Sequence, residues 1–246
     1  MGLPKVSAPT YELIIPSSGE KATYRPFLVK EEKTLLMAME SKDTTAMSKA
    51  MQDIITSCTD GEVSPKDLAP YDLEYFFLQL RGRSVGEVIE VNAPRPPNFA
   101  ACCEKATEED ICKISINIDE ITVDTSKIKP SEIEISDTIG VKMKFPELDA
   151  IQKYSTVEGE LQAENIFKLI IDCIEYISDG DEIYQAKDHT KKELNVFLES
   201  LSTGQFNSIR EFFESMPRLT HDVDWTCLHC NKKKTLTLMG IDAFFA

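Results

Sequence analysis

Long apolar runs are missing from this sequence. No segment of its 246 residues approaches the ~20 consecutive apolar side chains that cross a bilayer, so a membrane-spanning helix is excluded. Histidine is scarce. The three present, His189, His221 and His229, lie near no Gly-x-Ser-x-Gly elbow or similar frame, which leaves nucleophilic catalysis without a recognisable setting. A glycine-rich phosphate loop is also absent. Gly82-Arg83-Ser84-Val85-Gly86 lacks both the lysine and the preceding strand that such a loop requires. Carboxylates are plentiful but scattered along helix faces, where solvated surface is their ordinary role. Together these absences argue against an enzyme. Positive charge is in short supply too. Against 42 acidic residues stand 27 basic ones, and a net charge of −15 repels phosphate backbones, which disfavours nucleic acid as the main partner.

The N-terminus, Met1 to Val6, has no apolar run before its first prolines and so does not read as a signal peptide. Gly2 invites a myristoylation pattern, but no Ser or Thr stands at the sixth position. The seven cysteines are an odd number without framework spacing, which fits a reducing compartment with thiols in the core or on a metal.

What is present suits a folded protein with real cores: 42% hydrophobic and 28% charged residues over a length sufficient for one large domain or two small ones. Residues 1–10 read as an extended arm. Tyr11 to Ile15 and Glu20 to Tyr24 form a hairpin across Pro16-Ser17-Ser18-Gly19. Leu35, Leu36 and Met39 predict a short helix face. Met47, Met51, Ile54, Ile55 and Cys58 predict a second helix, with Ser41 or Asp43 as its cap and Asp60-Gly61 as its end. Leu73, Phe76, Phe77 and Leu80 mark a third, with Asp72 near its start and Gly82 just past its end.

Residues 86–145 alternate apolar and polar side chains. Val88 to Val91 reads as a strand, as do the segment through Ile114, Ile116, Ile118 and Ile121, the pair Ile133 and Ile135, and Val141 to Phe145. Helical spacing returns at Ile166, Leu169, Ile170, Cys173, Ile174 and Ile177, broken by Ser178-Asp179-Gly180-Asp181. That acidic turn places Gly second, not sixth as a calcium loop needs, and reads as a helix end. Thr190 and Glu193 spell a capping box before Leu194, Phe197, Leu198 and Leu201. Ser202 opens a last helix with Phe206, Ile209, Phe213 and Met216 inward and Pro217 as its stop. Strands over Leu219 to Trp225 and from Thr235 to Met239 then flank Cys227-Leu228-His229-Cys230, with Lys232 to Lys234 as a solvated tip.

The predicted fold class is α+β, with helical modules alternating with small antiparallel β-hairpin modules and a C-terminal zinc-ribbon-like Cys-x-x-Cys hairpin. The modules are 1–85, 86–145, 146–217 and 218–246, packed as one or two compact domains. Two thiolates three positions apart in a tight turn can grip one metal ion, and a structural zinc site needs four ligands. Cys227 and Cys230 with Cys103 and Cys112 would supply them; the other reading is a turn that keeps the pair without metal. A thioredoxin-like role is disfavoured, because such sites open a helix and strands flank this pair. Phe244 and Phe245 close the chain either as an interface or folded back on its own core.

Three stretches, taken in order, resemble the baseplate hub subunit family of T-even-type contractile-tailed bacteriophages. They are Tyr24 to Lys33, Asp72 to Glu87, and Cys227-x-x-Cys230 with Gly240 to Phe245. The likeness runs from about residue 11 to the C-terminus. It implies a virion assembly protein of the tail baseplate, partnered by other phage baseplate and hub proteins, and present in host cytoplasm during assembly. A related branch implies an assembly catalyst or chaperone of the hub that is absent from the mature virion. A free-standing zinc-ribbon module that binds protein or nucleic acid is a third alternative. Members of the family often carry a second Cys-x-x-Cys in the middle β module; this chain has Cys102-Cys103 and Cys112 there instead.

Overall fold

A computed structural model describes residues 7–41, 44–92, 113–154, 163–226 and 231–244. The fold is mixed α+β, with helices set against small antiparallel sheets. It opens on the hairpin β1 (Tyr11–Ile14) and β2 (Lys21–Tyr24), followed by α1 (Val29–Ser41), α2 (Thr44–Cys58) and α3 (Pro70–Val85). β3 (Val88–Asn92) and β4 (Lys113–Asn117) form a second hairpin, and β5 (Glu132–Glu134) and β6 (Ile139–Met143) begin a four-stranded sheet. After α4 (Leu148–Tyr154) and α5 (Ala163–Asp172), β7 (Ile174–Asp179) and β8 (Glu182–Gln185) complete that sheet in the order β5-β6-β7-β8. α6 (Lys191–Ser200), α7 (Thr203–Glu214) and the hairpin β9 (Thr220–Thr226) with β10 (Lys233–Met239) follow, and a 3-10 turn over Ile241–Phe244 ends the described chain.

Three apolar clusters hold these elements. The first joins the β1–β2 hairpin to α1, α2 and α3 through Leu13, Tyr24, Leu35, Met51, Ile54, Ile55, Phe76 and Leu80. The second packs the four-stranded sheet on α5, α6 and α7, with Val141, Met143, Ile170, Leu198, Ile209 and Phe212 at its centre. The third lies between the β3–β4 and β9–β10 hairpins, where Ile89, Val91, Ile114 and Ile116 meet Leu219, Leu238 and Phe244. α3 is the shared wall. Phe76, Phe77 and Leu80 point into the first cluster and Leu78 into the third, so this helix is buried on more than one side. Tyr71 meets Phe145 edge-on at 6.1 Å, and Phe145 stacks on Phe212 at 4.6 Å, which carries contact from α3 to the second cluster.

Several local expectations shift. The apolar spacing from Ile166 to Ile177 does not continue as one helix. α5 stops at Asp172, and Ile174 to Asp179 is strand β7. The same side chains satisfy either period over so short a run. Pairing decides, because β6 offers its open side and Val141 lies opposite Ile177. Asp179-Gly180-Asp181 therefore ends a strand, and Gly180 takes φ 58° in the two-residue turn to β8. On α1 the inward residues are Glu31, Leu35 and Ala38, while Leu36 and Met39 face solvent. Gly82 lies inside α3, whose C-terminal cap is Gly86 at φ 148°. Ile118 and Ile121 fall in and just after a 3-10 turn, not in β4, yet both are fully buried. α7 turns Ile209 and Phe212 inward, with Phe206 and Phe213 half-buried beside them. Ser41 is the last residue of α1 and its hydroxyl donates to the Ala38 carbonyl; Asp43 lies outside the described residues. The capping box at Thr190 forms as read, and Ser202, read as opening the last helix, does so with a capping box of its own to Gln205. β6 pairs with β7, so segments 86–145 and 146–217 share one sheet.

Candidate functional site

The described residues of each stretch that carries the family resemblance can be followed to their places. In the first, Arg25 leaves β2 and enters a buried knot. Its Nη2 donates to Glu31 Oε1 at 2.9 Å and to the Ser57 carbonyl at 3.0 Å, and its Nη1 donates to the Pro26 carbonyl. Ser57 Oγ donates to the same Glu31 oxygen at 2.7 Å, and the Leu28 amide donates to the other at 2.9 Å. Burial alone would raise the Glu31 carboxyl. The hydrogen bonds from Arg25, Ser57, Leu28 and Lys30 outweigh burial and hold it at about 2. The knot fastens the hairpin to α1 and α2 at once. It also draws Glu31 inward and so sets the rotation of α1.

In the second stretch, Asp72 caps its own helix by accepting the Ala69 amide and tethers the first hairpin by accepting the Ser17 amide at 3.0 Å. Burial pushes its carboxyl up, against those hydrogen bonds. Gly82 leaves room for Ile118, whose Cγ2 would stand 3.3 Å from an added Cβ. Gln79 donates to the Ile118 carbonyl at 3.2 Å. Arg83 pairs with Glu87 and with Asp119 and lies 5.5 Å over the Tyr11 ring. Ser84 Oγ accepts the Phe27 amide at 2.9 Å, joining the second stretch to the first.

In the third stretch, Gly240 at φ 72° turns the chain out of β10, and its amide donates to the Leu219 carbonyl. Phe244 then enters the third cluster and is 2% exposed. Of the two readings for the terminal aromatics, Phe244 takes the inward one. Phe245 lies outside the described residues.

The candidate metal ligands Cys103, Cys112, Cys227 and Cys230 all lie outside the described residues, as does His229. Their neighbours can be placed. Thr226 pairs with Lys233 and Asn92 with Lys113, so each cysteine segment is the connection of one hairpin, and these two hairpins share the third cluster. Lys234 Nζ stands 5.5 Å over the Trp225 ring at that end of β9–β10. Among the described residues no group of three or more His, Cys, Asp or Glu is arranged to hold a metal. The described cysteines, Cys58 and Cys173, are buried core thiols, pushed up by burial to about 11 and about 12. They are neutral at ordinary pH and have no nucleophilic character there.

The motif side chains named above are thus committed to capping, tethering and packing. Periodicity located α3 and its cap, but nothing in the spacing announced the Arg25–Glu31–Ser57 knot, because a buried charge pair has no period. Among the described residues no helix is long and apolar enough to cross a membrane. No curated protein and no solved structure matches the chain. Over residues 8–246, however, it matches the family described as T4 bacteriophage base plate protein. That match spans nearly the whole chain, including all three stretches, and the chain belongs to this family of T4-type phage baseplate proteins.

Proposed function

We propose that this protein is a structural component of the baseplate hub, one of the parts that build the tail tip and take part in host attachment and contraction. The family match over residues 8–246 carries the reading. The surface supports it. Val29 and Leu36, seven residues apart on the solvent side of α1, are 79% and 53% exposed, with Met37 beside them. Glu32 and Lys33 separate Val29 from the Leu36–Met37 pair, and exposed apolar side chains of this size are more useful in an assembly than on an isolated protein. Phe245 is the terminal residue proposed as a contact, now that Phe244 is occupied in the core.

The alternative within the family is an assembly catalyst or chaperone that helps build the hub and is then released. Mass spectrometry of assembly intermediates and of finished tails separates the two. Presence in both, in fixed ratio to other baseplate proteins, supports the structural role; presence in intermediates alone supports the assembly factor. A zinc-ribbon module is a further reading; in the sequence Cys227 and Cys230 fall between β9 and β10, and Cys103 and Cys112 between β3 and β4, and the described strands of these two hairpins share the third cluster. Elemental analysis of freshly purified protein tests it. Zinc that is retained by the wild type and lost on the double change Cys227→Ser, Cys230→Ser supports this reading, and protein without zinc removes it.

A further inference from the structure

The four-stranded sheet has two edges, and they are built differently. β5 is three residues long, carries Glu132 and Glu134, and follows Pro130. Short length, charge and proline are the usual means by which an edge is kept from pairing with another chain. β8 lacks that protection at its centre. All four of its residues are exposed, the middle two are Ile183 and Tyr184, and among the described residues it pairs only with β7. By strand geometry, alternate backbone amides and carbonyls of β8 point away from β7, with no strand among the described residues to receive them. Beneath this edge, on the helix-covered face, a groove of about 270 Å³ lies between Tyr184, Ile139 and Ile177 of the sheet and Leu194 and Phe197 of α6.

We propose that the β8 edge and this groove receive an extended segment of a neighbouring protein as a fifth strand, with alternate apolar side chains entering the groove and basic residues between them. Charge selects the occupant. Asp179 and Glu193 line the groove, and Asp181 and Glu182 stand at the β7–β8 turn. The chain as a whole carries −15, so a second copy would bring like charge to this edge and a basic strand would bring the opposite. Backbone hydrogen bonds along the edge would give affinity, and the groove would fix register. The proposal rests on the assembly reading for the existence of a neighbour, but it can be tested apart from that reading.

The test uses the full chain and three synthetic eight-residue peptides. One alternates Val with Lys, one alternates Val with Glu, and one repeats the Val/Lys sequence with alternate backbone amides N-methylated. Amide hydrogen exchange is followed by NMR. The expected result is slowed exchange at Ile183 and Gln185 with the Val/Lys peptide, and none with the other two. Ile183→Lys should keep the wild-type spectrum elsewhere and lose the protection. Equal protection by the acidic peptide, protection that survives N-methylation, or no protection at β8 would each overturn the proposal. Protection that appears without peptide as protein concentration rises would overturn the choice of partner in favour of a second copy. A negative result removes the edge as a docking strand and leaves the composition of purified tails unaffected as a test of the baseplate role.

Discussion

Glu31 has the environment of a residue whose loss leaves damage behind. Its side chain is 5% exposed and that of Arg25 is 17% exposed, so Glu31→Gln would strand a guanidinium that has little access to water. Removing one partner of a buried pair costs several kcal/mol, and about 3 kcal/mol is expected here from the shift in urea midpoint. The pH dependence follows from linkage. The folded carboxyl ionises at about 2 and the unfolded one near 4.5, so between those values the unfolded chain binds more protons. The contribution of Glu31 is therefore fully present above pH 4.5 and is lost as pH falls toward 2. The stability difference between wild type and Glu31→Gln should shrink over that window; a difference independent of pH would show that the knot is not ionic.

Phe244 gives a second prediction at this scale. Because it is buried in the third cluster, Phe244→Ala should lower the stability of the isolated protein by about 3–5 kcal/mol in the same titration. An unchanged midpoint would return this side chain to the surface. The thiols give a third. Cys58 and Cys173 are buried and their pKa values are raised, so neither should react with iodoacetamide in native protein at pH 7.5, and both should react in urea. Labelling mapped by peptide mass spectrometry checks this.

At the scale of the element, α3 organises the molecule, and the crossing of Gly82 with Ile118 fixes where the 3-10 turn docks. Gly82→Ala sets a helix gain of up to about 1 kcal/mol against a 3.3 Å approach to a side chain that can give, so the change should be small. Gly82→Val cannot be absorbed in that way and should cost about 1–3 kcal/mol by thermal or urea unfolding. Much of this helix was legible in the sequence, since Leu73, Phe76, Phe77 and Leu80 repeat at helical spacing and Asp72 stands at the start. Its far end was not. Glycine reads locally as a stop, and only the approach of Ile118 explains one in the interior. The β7 strand was hidden for a related reason. Ile174 and Ile177 suit a helix or a strand, and the partner that decides lies more than thirty residues earlier in β6. On α1, apolar residues alone suggested the wrong face, because the inward stripe is anchored by a glutamate. The hairpins at both ends were legible because turn residues bracket short alternating runs. The cysteine set was legible as a list of residues, while its spatial arrangement lies outside the described residues.

At the scale of the whole molecule, two structural facts bear on function. The described side chains of the stretches that resemble the baseplate family, from Arg25 and Glu31 through α3 to Phe244, lie in or beside the first and third clusters and hold the scaffold together. The outer surface is acidic overall, with exposed apolar side chains on α1 and, at β8, a sheet edge whose two central residues are Ile183 and Tyr184. Such a surface suits a part held by neighbours of opposite charge, and association through it should weaken as salt is raised. The hub reading makes a claim about location that can be checked directly. Purified, DNA-free tails washed at moderate salt should contain this protein in a fixed ratio to the other baseplate proteins by quantitative mass spectrometry. Its absence from finished tails, with abundant protein in assembly intermediates, would contradict the structural role.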